Sequence, residues 1–190
     1  QRLEYNVAGE QVRVGLLTAG GKSKLLVDEL VYNAAGQVTS ERAGNGVVTR
    51  ATYADDDGSL RRLQASRGGA QGGILQDLTY TYDRVGNVTH VVDGAQPTTW
   101  ASNAMIQASS TFTYDTLYQL VKASGRENAR HPGGASTPAA VLFDTTDTQQ
   151  WRNYTRHYQY DASANLVQMQ HVPSAGQGYT RRMSVPQTSN

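Results

Sequence analysis

Four histidines and three carboxylates are the side chains of this chain best suited to acid–base or metal chemistry: His90, His131, His157 and His171, and Asp83, Asp115 and Asp161, each of which follows a tyrosine. Acid–base catalysis needs such groups to converge on one substrate atom, and zinc needs ligands at short, regular spacings. The histidines are dispersed, with none in a helical pair or a His-Glu motif. His90 and His157 fall inside alternating segments and read as wall residues. No Gly-x-Ser-x-Gly elbow is present, and the absence of cysteine removes thiol nucleophiles, thiolate metal sites and disulfides while leaving the redox compartment open. Asp55-Asp56-Asp57-Gly58 invites a calcium loop, but such a loop alternates oxygen ligands and closes on a Glu. Here Leu60, Arg61 and Arg62 follow, so the run reads as a hairpin turn. Gly68–Gly73 lacks the Lys-Ser/Thr pair and following helix of a phosphate cradle and reads as a hairpin tip. A polysaccharide-active enzyme would need two carboxylates across a cleft, and the sequence places no such pair. The chain is expected to be non-enzymatic, without cofactor or metal.

The tyrosine-linked carboxylates have a different explanation. From Leu78 to Val92 the chain reads as strand, tight turn, strand. Leu78, Tyr80 and Tyr82 alternate with Thr79 and Thr81, and Val88, His90 and Val92 repeat the period of two on the return. Between them, Asp83 is placed to accept its own downstream amides, and Gly86-Asn87 supplies residues that accept positive φ.

Copies of this unit recur, with a tyrosine at position one, Asp or Asn at two, Gly at five and Val or Leu at seven. Tyr32-Asn33-Ala34-Ala35-Gly36-Gln37-Val38 fits fully. The copy at Tyr5 fits until Gln11, where Val12 comes one residue late. Those at Tyr114-Asp115 and Tyr160-Asp161 carry Tyr118 and Ala164 where glycine stood, which leaves their turn type open. Tyr53 begins a sixth, longer copy with Gly58 displaced by one. The intervals between leading tyrosines differ, so the repeat is kept while the connections vary. Repetition of one supersecondary unit at this period implies a stacked or spiralling architecture in which no repeat buries its own face.

Composition agrees. Charged residues are 17% of 190, the formal net charge is +1, and much of the apolar mass lies in eleven tyrosines suited to half-buried sheet faces. A thin, curved sheet is expected rather than a thick core. The neutral balance argues against a nucleic-acid partner, since Arg61-Arg62 and Arg181-Arg182 are the only basic pairs. No apolar run reaches membrane-spanning length, so no membrane insertion is expected. With no initiator Met or signal peptide, the chain reads as a piece of a longer protein. The expected strands include Leu25–Tyr32, Val38–Glu41, Val47–Tyr53, Phe112–Asp115, Trp151–Tyr160 and Asn165–Val172. A polar loop is expected from Asp93 to Ser110, with Trp100 as a local packing anchor. A Gly/Pro/Ser-rich loop is expected from about residue 124 to 150, and a trailing edge at Pro186–Asn190.

The Tyr-Asp pairs at Tyr82-Asp83, Tyr114-Asp115 and Tyr160-Asp161 resemble the YD repeats of the Rhs family. The ordered series is most similar to the N-terminal shell-forming region of the C component of insecticidal ABC (Tc) toxin complexes. Leu30–Gln37, Gly44–Thr49, Leu75–Val88, Tyr114–Leu120 with Gly125-Arg126-Glu127, and Asn153–Asp161 carry the similarity, which covers most of the chain. The resemblance implies an all-β fold of repeated antiparallel hairpins spanning residues 1–190, as a fragment of a hollow, secreted shell. It implies as partners a B component, an A component reached through it, and an enclosed C-terminal toxin segment of the same parent. The family's self-cleavage region has no match here, so no catalytic residue carries over. The repeat framework does: Tyr32, Asn33, Gly36, Tyr82, Asp83, Gly86, Asn87, Tyr114, Asp115, Tyr160 and Asp161, with an implied role in hairpin geometry and wall packing. YD repeats also occur in bacterial surface toxins and adhesion proteins, so a protein- or glycan-binding module is the alternative. An isolated fragment would expose strand edges and is expected to self-associate.

Overall fold

Period-two alternation of tyrosine, valine and leucine with threonine and charged residues becomes strand almost wherever it occurs. The computed structural model describes residues 2–17, 20–68, 73–101, 103–129 and 148–186. Among them are fifteen strands: β1 (Arg2–Tyr5), β2 (Gln11–Leu17), β3 (Ser23–Tyr32), β4 (Val38–Ala43), β5 (Val47–Tyr53), β6 (Leu60–Arg67), β7 (Ile74–Tyr82), β8 (Val88–Asp93), β9 (Thr99–Ala101), β10 (Ala104–Ile106), β11 (Ser109–Tyr114), β12 (Leu120–Asn128), β13 (Trp151–Tyr160), β14 (Leu166–Pro173) and β15 (Tyr179–Arg182). One short 3-10 turn, Thr148–Gln150, precedes β13. The fold is all-β.

The chain divides into two compact units, Gln1–Tyr80 with Asp93–Ala95, and Thr81–Val92 with Gln96–Asn190. In the first unit β1 to β7 pair antiparallel in sequence order. Asp77 ties β7 to its surroundings: its carboxylate takes a bidentate grip from Arg62 (both 2.6 Å), and its amide donates to Asp93 Oδ1 (2.9 Å). In the second unit the order is β8, β11, β12, β13, β14, β15, again antiparallel. The short strands β9 and β10 form a separate ribbon.

Little apolar surface is fully covered. Val14 and Val48 are the buried apolar residues of the first unit, and Ala101, Ile106, Ala123 and Pro173 those of the second, among the described residues. Leu17, Ile74 and Leu75 remain exposed. Backbone pairing and local polar bonds therefore carry more of the architecture than burial does, as in repeat proteins stabilised by neighbour-to-neighbour terms.

Three expectations need correction. The polar loop from Asp93 to Ser110 contains the β9–β10 ribbon, because Ala101 and Ile106 turn inward and bury almost completely. Trp100 is on the other side of that ribbon, paired with Met105 and 65% exposed, rather than packed as a buried anchor. The loop expected from residue 124 begins later, since β12 runs to Asn128 in register with β13 up to Trp151. Gly125 looks like loop composition but is a packing requirement: a Cβ there would lie 3.0 Å from Tyr154 Oη and 3.1 Å from Ser110 Oγ. Residues 130–147, with His131, and 69–72 of the glycine-rich tip lie outside the described residues, as do 187–190.

The repeat turns and a buried charge cluster as the candidate functional site

Each repeat turn is built around one side-chain oxygen. In five copies Oδ1 of position two accepts the amides of positions four and six. Asn6 takes Ala8 and Glu10 (3.0 and 2.9 Å), and Asn33 takes Ala35 and Gln37 (3.0 Å each). Asp83 takes Val85 and Asn87 (3.0 and 2.9 Å), Asp115 takes Leu117 and Gln119 (2.8 and 2.9 Å), and Asp161 takes Ser163 and Asn165 (2.9 Å each). The backbone closes the loop twice, position two donating to the carbonyl of six and position five to that of two.

Positions two and six also choose each other. In the Asp83 and Asp161 copies position six supplies a donor: Asn87 Nδ2 to Asp83 Oδ2 at 2.9 Å, and Asn165 Nδ2 to Asp161 Oδ2 at 3.1 Å. Where it is an asparagine, its amide donates instead, to Gln37 Oε1 (2.9 Å) or Glu10 Oε2 (2.7 Å). The bond from Asn87, joined by the turn amides, holds the Asp83 carboxyl below the usual range, and the bond from Asn165 does the same for Asp161.

Position five is left-handed in every one of these copies. Gly36 and Gly86 have φ of 76° and 95°, but Tyr118 and Ala164 hold 62° and 65° with the same hydrogen bonds. The turn type left open by the sequence is thus conserved, with two non-glycine residues kept in a conformation that costs an L-residue about 1–2 kcal/mol. The copy at Tyr53 has Ala54 at position two and no side-chain oxygen to offer. It runs one residue longer, with Ala54 N donating to Ser59 O and Asp57 Oδ1 accepting the Ser59 amide.

The leading tyrosine joins copy to copy. Tyr32 Oη donates to the carbonyl of Gln11 (2.7 Å), Tyr53 to Val38 (3.0 Å), Tyr114 to Val88 (2.9 Å) and Tyr160 to Leu120 (3.0 Å). Each acceptor is position seven of the preceding copy. Burial first, and the charge of Asp83 after it, push the Tyr114 phenol upward, so it stays a donor. Burial, with Tyr158 and Asp115 behind it, does the same for Tyr160. Tyr82 ends β7, half-buried. At Tyr5, Tyr32, Tyr53, Tyr114 and Tyr160 the strand register shifts by a bulge as the tyrosine enters the turn.

A second constellation has no counterpart in the sequence reading. On one face of β12 to β15, Glu127 Oε1 accepts from Arg152 Nε (2.9 Å) and lies 3.1 Å from His171 Nε2, while Arg156 Nε donates to His171 Nδ1 (3.3 Å). The bond from Arg156 assigns the proton of His171 to Nε2. His171 is 1% exposed and stacks on Tyr179 at 4.9 Å, with Tyr154 tilted against it at 5.1 Å. Glu127 and His171 are far apart in sequence, and no local spacing announces them. The only signal is Arg152, Tyr154 and Arg156 on one face of an alternating strand. The cluster holds four strands together but presents no nucleophile. His90 pairs with Thr111 across β8 and β11, and His157 with Lys122 and Gln170. Among the described residues no three His, Cys, Asp or Glu side chains converge as metal ligands.

These features define the class: tandem β-hairpins of the YD-repeat pattern, each turn built on the residue that follows a tyrosine. No family model matches the chain. Among curated proteins it is 37% identical to toxin subunit YenC2 and 39% identical to toxin subunit YenC1 of Yersinia entomophaga, over the whole of this chain. The chain spans 20% of the length of each. Among solved structures it superposes on a TcdB2-TccC3-Cdc42 crystal structure with a TM-score of 0.80 and 36% identity, covering 100% of this chain and 9% of that one. It also superposes on a Photorhabdus luminescens Tc holotoxin pore, with a TM-score of 0.74 and 35% identity over 95% of this chain and 8% of that one.

Three outcomes follow from this geometry. Tyr160→Phe, which deletes only the bond to Leu120, should lower stability by about 1 kcal/mol in urea denaturation. Tyr118→Gly and Ala164→Gly should each raise it by about 1 kcal/mol, and Gly86→Ala should lower it by a similar amount. Asp83 and Asp161 have folded pKa values below their unfolded value of about 3.9, so their contribution is present above that pH and is lost as pH falls through the folded value. The urea midpoint should therefore fall below about pH 4. The double variant Asp161→Asn/Asn165→Gln, which copies the uncharged pair Asn33/Gln37, should show a shallower fall.

Proposed function

We propose that residues 1–190 act as one non-catalytic wall segment of a toxin-enclosing β-shell, within a parent protein of the C-component type of Tc toxin complexes. The observation that carries this reading is the match along the whole of this chain to proteins named as toxin subunits and to TcdB2-TccC3. The parent chain joins a B component, the two enclose the C-terminal toxin segment of the same parent, and delivery runs through the A component outside the producing cell. Tyr32, Asn33, Gly36, Tyr82, Asp83, Gly86, Asn87, Tyr114, Asp115, Tyr160 and Asp161 fix the hairpins and their stacking in that wall, and none has a catalytic part. A sheet held by turn and tyrosine bonds suits the role, because it extends copy by copy without a core to complete. Among the described residues β1 and β15 each pair on one side, so the chain on its own is prone to edge association.

The test uses the parent protein co-expressed with its B-like partner. On adding protease, the segment downstream of the repeats should survive, and should become sensitive once mild denaturant opens the shell. Immediate digestion of that segment with the repeats intact would overturn enclosure and favour an open recognition module.

A further inference from the structure

The turn that joins β4 to β5 holds Gly44-Asn45-Gly46, and Asn45 is the one asparagine of the chain that precedes a glycine. An asparagine side chain can react with the next residue's amide nitrogen to close a five-membered imide, and a Cβ on that residue crowds the ring. Gly46 removes the obstacle, and nothing packs within 4 Å of where its Cβ would stand. All three turn residues are exposed to water.

Both glycines are fixed by the fold. Gly44 donates its amide to the Leu26 carbonyl (2.9 Å) and lies so close to the Leu25 carbonyl that a Cβ has no room. Gly46 holds a left-handed φ of 83°. The other asparagines are held more firmly. Asn6 and Asn33 each accept two amides and donate through Nδ2. Asn87 and Asn165 donate to turn aspartates, and Asn153 donates to the Met105 carbonyl. Asn45 gives only its Oδ1, to the Val47 amide (3.1 Å), so the Nδ2 group that must depart has no bond to break among the described residues. One restraint opposes the reaction: the attacking Gly46 amide donates to the Ala43 carbonyl (2.9 Å). That bond closes the shortest ladder of the first unit, where β4 and β5 share three residue pairs against seven for β5 and β6. Segments with few pairs are the first to open.

We propose that Asn45 is a deamidation site gated by opening of the β4–β5 hairpin end. Once the Ala43 bond opens, the Gly46 nitrogen loses its proton to solvent base and bonds to Asn45 Cγ. The Cγ–Nδ2 bond breaks, and the nitrogen leaves with a proton as ammonia. Water then opens the imide at either carbonyl. Opening at Cγ gives aspartate. Opening at the main-chain carbonyl gives isoaspartate, with the chain routed through the side-chain carbon and a free α-carboxylate. Isoaspartate adds a methylene to the main chain, so the turn no longer forms the Gly46–Ala43 and Val47–Asn45 bonds together. β5 then shifts against β4 beside Val48, one of the two buried apolar residues of the first unit. The sheet carries one joint that loosens irreversibly with time.

The test ages the protein in mildly alkaline buffer, native and in concentrated urea. Conversion is read by mass spectrometry of tryptic peptide 43–50 and by methyl transfer from S-adenosylmethionine with a protein isoaspartate methyltransferase. Amide-to-acid conversion should appear first in this peptide, bring methyl acceptance with it, and run about tenfold slower in the native protein, since two hydrogen bonds must open. The urea midpoint of the aged protein should fall. That of Asn45→Ser, which keeps an oxygen for the Val47 amide but cannot form the imide, should not. Freshly prepared Asn45→Asp should also keep its midpoint, which separates the added methylene from the added charge. Earlier conversion at another asparagine, equal rates in native and unfolded protein, or an unchanged midpoint after full conversion would overturn the proposal. So would a midpoint lost equally by fresh Asn45→Asp. None of these outcomes bears on enclosure of a toxin, which the protease experiment decides separately.

Discussion

A single carboxylate or amide oxygen taking two backbone amides is the interaction on which the rest of this molecule depends. A tight turn strands amide groups that a return strand cannot reach, and leaving them bare would cost more than any one side-chain contact returns. The oxygen at position two meets both amides at once, which fixes where position seven sits. Position seven's carbonyl is what the next tyrosine grips. The Asn87 amide facing Asp83, and the Gln37 carbonyl facing Asn33, show that the requirement is for a matched donor and acceptor rather than for charge.

That arrangement frees the fold from the need for a conventional interior. Six apolar side chains, Pro173 included, are buried among the described residues, and the most covered polar side chain, His171, belongs to the Glu127–His171 cluster. A buried ion pair is weak as net stabilisation, but the loss of one member is costly. The cluster therefore serves registration: Glu127 with Arg152, and His171 with Arg156, are cross-strand neighbours that match only in one alignment of β12, β13 and β14.

The hairpins were legible because their determinants are local. Tyr82-Asp83 and Gly86-Asn87 carry their own turn chemistry, and the alternation from Leu78 to Tyr82 needs no distant partner to become a strand. What was not legible depended on contacts across long sequence separations. Gly125-Arg126-Glu127-Asn128 reads as loop until Tyr154 and Arg152 are known to lie beside it. The stretch around Trp100 reads as loop because ribbon strands of three residues are too short to show a period. Tyr118 and Ala164 left their turn type open in the sequence, since their strain is tolerated only because the position-two oxygen and the backbone bonds overdetermine the turn.

The tyrosine bond has a further consequence for how such a chain can change over generations. Its acceptor is a main-chain carbonyl, present whatever residue occupies position seven: Gln11, Val38, Val88 and Leu120 serve alike. Any copy can follow any other without a side chain having to be matched across the junction. Duplication, loss or exchange of a whole hairpin by recombination is then geometrically neutral. Lineages can lengthen or shorten the array, or lodge an added ribbon between copies, without redesigning the joints.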